Sequence, residues 1–397
     1  MKYDFNEVID RRGTDCLKYD FAAARGHDPG ELPLWVADMD FRAPPCVLQA
    51  LSETVGHGIF GYTDTGADYD AAVTGWFARR FGWQTDPAWI VKTPGVVFAL
   101  AMAVRAATEP GDAVLIQPPV YYPFYSVIRD NRRKVVENEL VYENGRYRID
   151  FEDFERKIAD HGVRLFLLCS PHNPVGRVWT REELRRMGGI CRRYGVRVVS
   201  DEIHCDFAFP AHPHTPFCAA CTELAEQTVV CTAPSKTFNL AGLQISNIFV
   251  PGEALRRALE REIRCTGYSQ LNQPGLAACR AAYRDGEGWL TEVQTYLRGN
   301  LKYLRDFLAA ELPWVRLVEP EGTYFAWLDF SGLSLRDRAL DELIEKRARL
   351  WLDPGHIFRG RDSGSFQRMV LACPRATLAR ALGRLKQAAA GLPAADN

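Results

Sequence analysis

Five runs of uninterrupted apolar residues, separated by amphipathic stretches, constrain the fold of this chain more than any other feature. They are "AVLIQPP" (113–119), "RLFLLCSP" (164–171), "VRVVSDE" (196–202), "TVVCTA" (228–233) and "ISNIFVP" (245–251). Runs of this length without polar alternation suit strands covered on both faces, as in a mostly parallel sheet. Between them lie segments of helical period such as "TREELRRMGGICRRYG", with Thr180 as N-cap, Glu183 three positions on and Gly195 as a stop. Alternation of this kind predicts an α/β fold with a mostly parallel sheet in a large domain. After about residue 285 the pattern changes to a long helix near 292–312, the runs "VRLVEP" and "TYFAWLDF", another helix, "QRMVLACP" and a last helix. That predicts a smaller α+β domain. We expect the large domain over 46–285, with 1–45 and 286–397 forming an N-terminal segment plus the small C-terminal domain.

Composition excludes several function classes. With 49 Lys and Arg against 50 Asp and Glu, the net charge is −1, which argues against nucleic acid or an anionic membrane as the main partner. The longest apolar run, within "GVVFALAMAV" (95–104), is far short of a membrane span, and the first fifteen residues lack a signal-peptide core. Eleven cysteines in such a chain read as reduced, mostly buried thiols, so a cytoplasmic protein is expected.

Four pieces at predicted strand ends carry the chemistry, since open parallel sheets bind ligands there. Gly95 in "TPGVVFAL" opens a helix whose free amides can cradle a phosphate. Asn173 in "SPHNPVGRVW" follows one strand, Asp201 in "SDEIH" ends the next, and Lys236 in "APSKTF" follows a third. Taken singly, each has an ordinary reading: Asn-Pro makes a turn, Asp caps a loop, glycine punctuates, lysine is solvated. Their order is the signal. A lysine to form a Schiff base, an aspartate for a protonated pyridine nitrogen and a helix start for a phosphate are what pyridoxal phosphate requires.

Over nearly its whole length the chain resembles fold-type I pyridoxal-phosphate enzymes of the aspartate-aminotransferase superfamily, and within them the cystathionine β-lyase, or C–S lyase, subgroup. The stretches that carry the likeness are "DRRGT", "WVADMDF", "GIFGY", "SPHNPVGRVW", "SDEIH", "SKTFNLAGLQ", "GTYFAWLD" and "LACPR". The resemblance implies Lys236 as the cofactor-bearing lysine, Asp201 as partner of the ring nitrogen and Asn173 as partner of the ring hydroxyl. It implies Tyr121 stacked on the cofactor, and Gly95, Val96, Val97 and Ser235 around the phosphate, with His204 beside the ring. Tyr62 matches a tyrosine that reaches the phosphate of the neighbouring subunit, which implies a homodimer. Arg375 in "ACPRATL" matches the arginine that binds the substrate carboxylate, and Trp35 and Tyr324 join Asn173 on the substrate side. Tyr122, His356 and Phe358 are further pocket candidates.

The implied reaction is α,β-elimination from L-cystathionine or a related cysteine S-conjugate, giving a thiol, pyruvate and ammonia. Two departures favour the lyase subgroup over a plain aminotransferase: Gln244 stands where many aminotransferases carry a phosphate-binding arginine, and His204 where they place a tyrosine. Ala233 takes a position often held by serine. The chemistry that forms the carbanion is common to both, so an L-amino-acid aminotransferase remains the alternative. Two readings of another class also stand: a regulatory interaction protein, and a zinc-binding module built from His204, Cys205, His212, His214, Cys218 and Cys221. The single Cys-x-x-Cys lacks a second pair at a familiar spacing, and no metal is expected.

Overall fold

The computed structural model describes residues 2–392; residues 1 and 393–397, the outer ends of the expected N-terminal segment and small domain, lie outside the described residues. The strands of the main sheet are β1 (Ile90–Thr93), β2 (Ala113–Ile116), β3 (Lys134–Glu137), β4 (Val163–Cys169), β5 (Arg197–Asp201), β6 (Thr228–Thr232) and β7 (Ser246–Phe249). They pair in the order β1-β7-β6-β5-β4-β2-β3. The pairs from β6 through β5, β4 and β2 to β3 are parallel. Strand β7 runs antiparallel to both its neighbours. The five apolar runs are therefore the five inner strands, and β2, β6 and β7 are buried at every position. The two edge strands, β1 and β3, carry no such run. Each has one side half exposed, with Lys92 in β1 and Lys134 and Glu137 in β3, so a search for continuous apolar runs passes over them.

Helices cover both faces of this sheet. Val96–Ala107 and Glu253–Cys265 enclose one apolar layer with β2, β4 and β6. Phe151–His161 and Arg181–Tyr194 enclose the other. Each buried Val, Leu, Ile or Phe in these layers stabilises the fold by about 1.5–3 kcal/mol. The helix Arg181–Tyr194 starts where its sequence says: the Thr180 hydroxyl accepts from the Glu183 amide at 3.1 Å, and the Glu183 carboxylate accepts from the Thr180 amide at 2.8 Å. Gly195 ends it at φ 67°.

A second, antiparallel sheet holds β8 (Arg316–Val318), β9 (Phe325–Asp329), β10 (Asp353–Pro354) and β11 (Phe366–Val370), in the order β8-β9-β11-β10. The helices Glu287–Glu311 and Arg375–Ala389 pack their leucines against one face of it. The long helix thus begins five residues before its apolar pattern suggests. Residues 32–40 run as a strap along this sheet: Leu32 and Pro33 pair in parallel with Leu350 and Trp351, and the Asp40 amide donates to the Ala372 carbonyl at 2.9 Å. Among the described residues, no helix is long and apolar enough to cross a membrane.

Candidate active site

The carboxyl ends of the parallel strands open on a cavity of about 200 Å³. Asp201 is the last residue of β5, Asn173 lies four residues past β4, and Lys236 four residues past β6. Because β7 runs the opposite way, it is its amino end, Gln244 and Ile245, that reaches the same cavity. Gly95 follows β1 at φ 142°, a conformation that side-chain-bearing residues rarely adopt, and it leaves the first amides of the helix Val96–Ala107 open. Lys236, Asp201, Asn173, Tyr121, Gly95, Val96, Val97, His204 and Ser235 all line this one cavity.

Electrostatics distinguish these groups from surface residues. Burial brings the Lys236 amine down to about 8; Arg368 pushes the same way, while Asp38 and Asp201 oppose it. Its Nζ donates to the Ala37 carbonyl at 2.8 Å. Burial pushes Asp201 up to about 7, and its Oδ1 accepts from the Ile203 amide at 3.2 Å. Asp201 forms no ion pair within 4 Å among the described residues. Burial also drives His204 well below the usual imidazole range, with Lys236 and Arg368 adding to the shift, and its Nδ1 has no hydrogen-bond partner among the described residues. The Tyr121 phenol is held far above its ordinary value by burial.

The donor set fits pyridoxal phosphate. A buried carboxylate without a cation suits a protonated pyridine nitrogen, a low-pKa amine suits an aldehyde, and open amides at a helix start suit a phosphate. Lys236, Asp201 and the Gly95–Val97 turn would hold those three parts, with the Tyr121 ring against the cofactor face.

The substrate side differs from expectation. Arg375 is not on the cavity wall. It is the first residue of the last helix, where its Nε donates to Asn300 Oδ1 at 2.8 Å, its guanidinium lies 4.7 Å from the Tyr303 ring centre and its amide donates to the Tyr296 hydroxyl. The arginine that does line the cavity is Arg368, on β11. Its Nη1 donates to Asn173 Oδ1 at 2.9 Å, its Nη2 to the Trp35 carbonyl at 2.8 Å and to Asp353, and its Nε is buried without a partner. Phe325 and Phe358 flank its guanidinium at 4.4 and 5.0 Å. The reason is strand parity. Met369 and Leu371 face the leucine layer, so Phe366, Arg368 and Val370 face the main sheet, whereas Arg375 lies beyond the strand, at a helix start. A charged residue inside the apolar run "FQRMVLAC" was the available signal, because buried arginine is rare without a binding or pairing role.

Trp35 and Tyr324 also stand off the cavity lining. The Trp35 ring stacks on Trp351 at 4.4 Å, and Tyr324 is buried with its hydroxyl donating to the Ala37 carbonyl at 3.0 Å. Tyr122 lines the cavity and meets Phe358 edge-on at 5.8 Å, while His356 is half exposed near Asp341. Tyr62 is 97% exposed, on a segment without regular structure. The His/Cys stretch is used for packing. Glu202, fully buried, accepts from Ser200 Oγ at 2.9 Å and the Phe217 amide at 2.8 Å, and pairs with His214 Nε2 at 2.9 Å. Among the described residues, no three His, Cys, Asp or Glu side chains are grouped to hold a metal.

Known proteins share this arrangement of elements over nearly the whole chain. The family model for aminotransferase class I and II matches residues 31–385. The chain is 44% identical to cystathionine beta-lyase PatB of Bacillus subtilis, covering 97% of this chain and 99% of that protein. It is 33% identical to protein MalY of Escherichia coli, over 96% and 98%. Cystalysin from Treponema denticola, solved with its pyridoxal 5'-phosphate cofactor, superposes with a TM-score of 0.95 at 36% identity, covering 99% of this chain and 100% of that one. A PLP-bound C–S lyase from Staphylococcus hominis superposes at 0.91 with 34% identity, over 97% and 98%.

Proposed function

This chain belongs to the class I and II aminotransferase family, and on that premise we propose that it is a pyridoxal-phosphate-dependent carbon–sulfur β-lyase. It takes L-cystathionine or a related cysteine S-conjugate, with one water, to a thiol, pyruvate and ammonia. The observation that carries the reading is the single cavity uniting Lys236, Asp201, Asn173 and Arg368, in a chain alike from end to end to carbon–sulfur lyases. The aminotransferase alternative uses the same residues and differs in requiring a keto acid.

Pyridoxal phosphate, when bound, supplies an electron sink for the charge left by the substrate Cα proton. The chain's residues do the rest. Lys236 would hold the cofactor through its amine, and the same amine is placed to take the substrate Cα proton; an amine at about 8 is near enough to neutrality for that work. Asp201 would pair with the protonated ring nitrogen, and that cation would bring its raised pKa back down. Asn173 Nδ2 is left to donate to the cofactor while its Oδ1 accepts from Arg368. Arg368 lines the cavity and supplies its guanidinium, the group type suited to a planar substrate carboxylate. Its stacking on Phe325 and Phe358 fixes that plane before substrate arrives.

The protein acts as a homodimer in which Tyr62 enters the neighbouring site. Support comes from the exposed apolar run around it, with Ile59 at 67% and Phe60 at 62% exposure. The cytoplasm is its place, in keeping with eleven unpaired cysteines.

The test is incubation of the loaded protein with L-cystathionine and S-alkyl-cysteines, without any keto acid, following pyruvate and thiol together. Equal release of both is expected. Turnover that appears only on adding a keto acid makes the protein an aminotransferase instead.

A further inference from the structure

The stretch "WVADMDF" is held more tightly than a connecting strap requires. The Ala37 carbonyl accepts from both Lys236 Nζ and the Tyr324 hydroxyl. On its carboxyl side, Asp38 takes a two-pronged contact from Arg11, with Nη2 at 2.6 Å and Nη1 at 3.2 Å. Lys18, fully buried, donates to Asp40 at 2.9 Å and stands 3.6 Å from Asp38. Arg11 also donates to Asp40 at 2.8 Å. From the other direction comes Asn239, three residues after Lys236. Its Oδ1 accepts from the Met39 amide, and its Nδ2 donates to the Met39 and Phe41 carbonyls, each at 2.9 Å. Asn239 itself sits at φ 59°, in the left-handed region.

Two clamps thus hold residues 38–41, next to Ala37, whose carbonyl is the only hydrogen-bond acceptor of the Lys236 amine among the described residues. One clamp is an ion cluster from the N-terminal segment. The other grows from the same loop as the lysine, so the lysine and its acceptor are tied together twice.

We infer that Arg11, Lys18, Asp38, Asp40 and Asn239 form a positioning device that sets the Ala37 carbonyl as the dock for the Lys236 amine in the state where it is not joined to the cofactor. This rests on the reading of Lys236 as the cofactor-bearing lysine. None of the five lines the cavity, so they act through the strap, Asp38 also by its charge on the amine. A docked amine has one direction in which to meet the Cα proton and the cofactor aldehyde, and a misplacement of about 1 Å can cost on the order of 10²-fold in rate. Around the amine, Asp38 from the strap and Asp201 from β5 favour its charged form, whereas Arg368 from β11 and its burial favour the neutral one; His204 and the Tyr324 phenol, both neutral, complete its surroundings.

The experiment uses full-length protein stripped of cofactor and reloaded with pyridoxal phosphate across a pH series. The attachment rate at Lys236 is read by borohydride reduction and peptide mass. Asn239→Gly tolerates the left-handed backbone and deletes only the side chain. Asp38→Asn removes a charge from a part-exposed site. Asp38→Asn is expected to move the attachment midpoint to lower pH by about one unit, because the charged amine loses the carboxylate that favours it most. Asn239→Gly should shift it the same way by less. Both should lower kcat about tenfold with KM within about twofold. Merely structural roles would lower the yield of folded protein and leave the midpoint where it was.

Wild-type midpoint and kcat in whichever variant folds overturn the inference. If neither folds, the cluster is a determinant of the fold and the positioning claim falls with it. A wild type that takes no pyridoxyl group on Lys236 overturns instead the assignment of that lysine.

Discussion

The two walls of the cavity are built in different ways. The wall from the main sheet takes Asp201, Asn173 and Lys236 from positions within four residues of three adjacent strand ends. The opposite wall is assembled from distant segments: the Ala37 carbonyl from the strap and Arg368 from β11, tied by a hydrogen bond between Arg368 and Trp35, 333 residues apart. On the first wall, chain direction and strand order place a side chain once the strands are known. On the second, placement depends on which face of a strand looks inward and on backbone groups that no residue type announces. On the proposed reading the first wall serves the cofactor and the second the substrate and the lysine's resting position, so the residues that sequence misplaces are those that set specificity.

The largest effect belongs to the first wall. Lys236→Ala should abolish the yellow colour of the loaded protein and reduce pyruvate release by about 10³-fold or more. A coloured, active variant would remove the lysine from the mechanism and with it the assignment of this wall to the cofactor.

The two arginines give the sharpest test of the second wall. Arg368→Ala should lower kcat/KM for S-alkyl-cysteines by about 10²-fold, chiefly through KM, since it deletes the cavity's guanidinium and leaves Asp353 and Asn173 without their partner. Arg375→Ala should change kcat/KM by less than about threefold, because its contacts are with Asn300 and Tyr303. The reverse order, measured by steady-state kinetics, would restore Arg375 and overturn the parity argument.

A smaller effect separates the walls by pH. In the folded, cofactor-free chain Asp201 titrates at about 7, while in the unfolded chain it titrates near the ordinary carboxylate value of about 3.9. Between those values the folded state binds the extra proton, so cofactor-free protein should lose stability as pH rises through that window. Asp201→Asn removes the loss. At pH 8 the cofactor-free variant should be more stable than cofactor-free wild type by roughly 2–4 kcal/mol in urea titration, with the difference shrinking near pH 4. Loaded protein should show the opposite order. Equal stability of the two cofactor-free forms at pH 8 would mean that Asp201 has a cation partner already.

Outside both walls, Thr180→Ala should cost about 1 kcal/mol of stability by deleting the helix cap, with turnover unchanged. A change in kcat there would mean that the covering helices transmit strain to the cavity, and the two-wall description would be too local.

Much of the molecule is legible in the order of its residues. The five inner strands, the capped helix 181–194 and the alignment of Gly95, Asn173, Asp201 and Lys236 at strand ends each depend on a short stretch of chain. Hydrophobic length, capping chemistry and the position of one residue after a strand are enough. The edge strands were hidden because half-exposed strands have no continuous apolar run. His204, a local departure three residues after Asp201, lines the cavity.

What tertiary structure alone decided is the second wall. Arg368 and Arg375 stand seven residues apart at the end of one chain segment, and both are plausible anion ligands by type. The pleat of β11 turns one inward and the helix start carries the other to Asn300. Trp35 and Tyr324 withdrew behind the cavity for a similar reason: their rings and hydroxyl are used by Trp351 and the strap. The Ala37 carbonyl could not be found from sequence at all. A backbone oxygen belongs to every residue, and only the packing of a strap between two sheets makes one of them the acceptor for a buried amine.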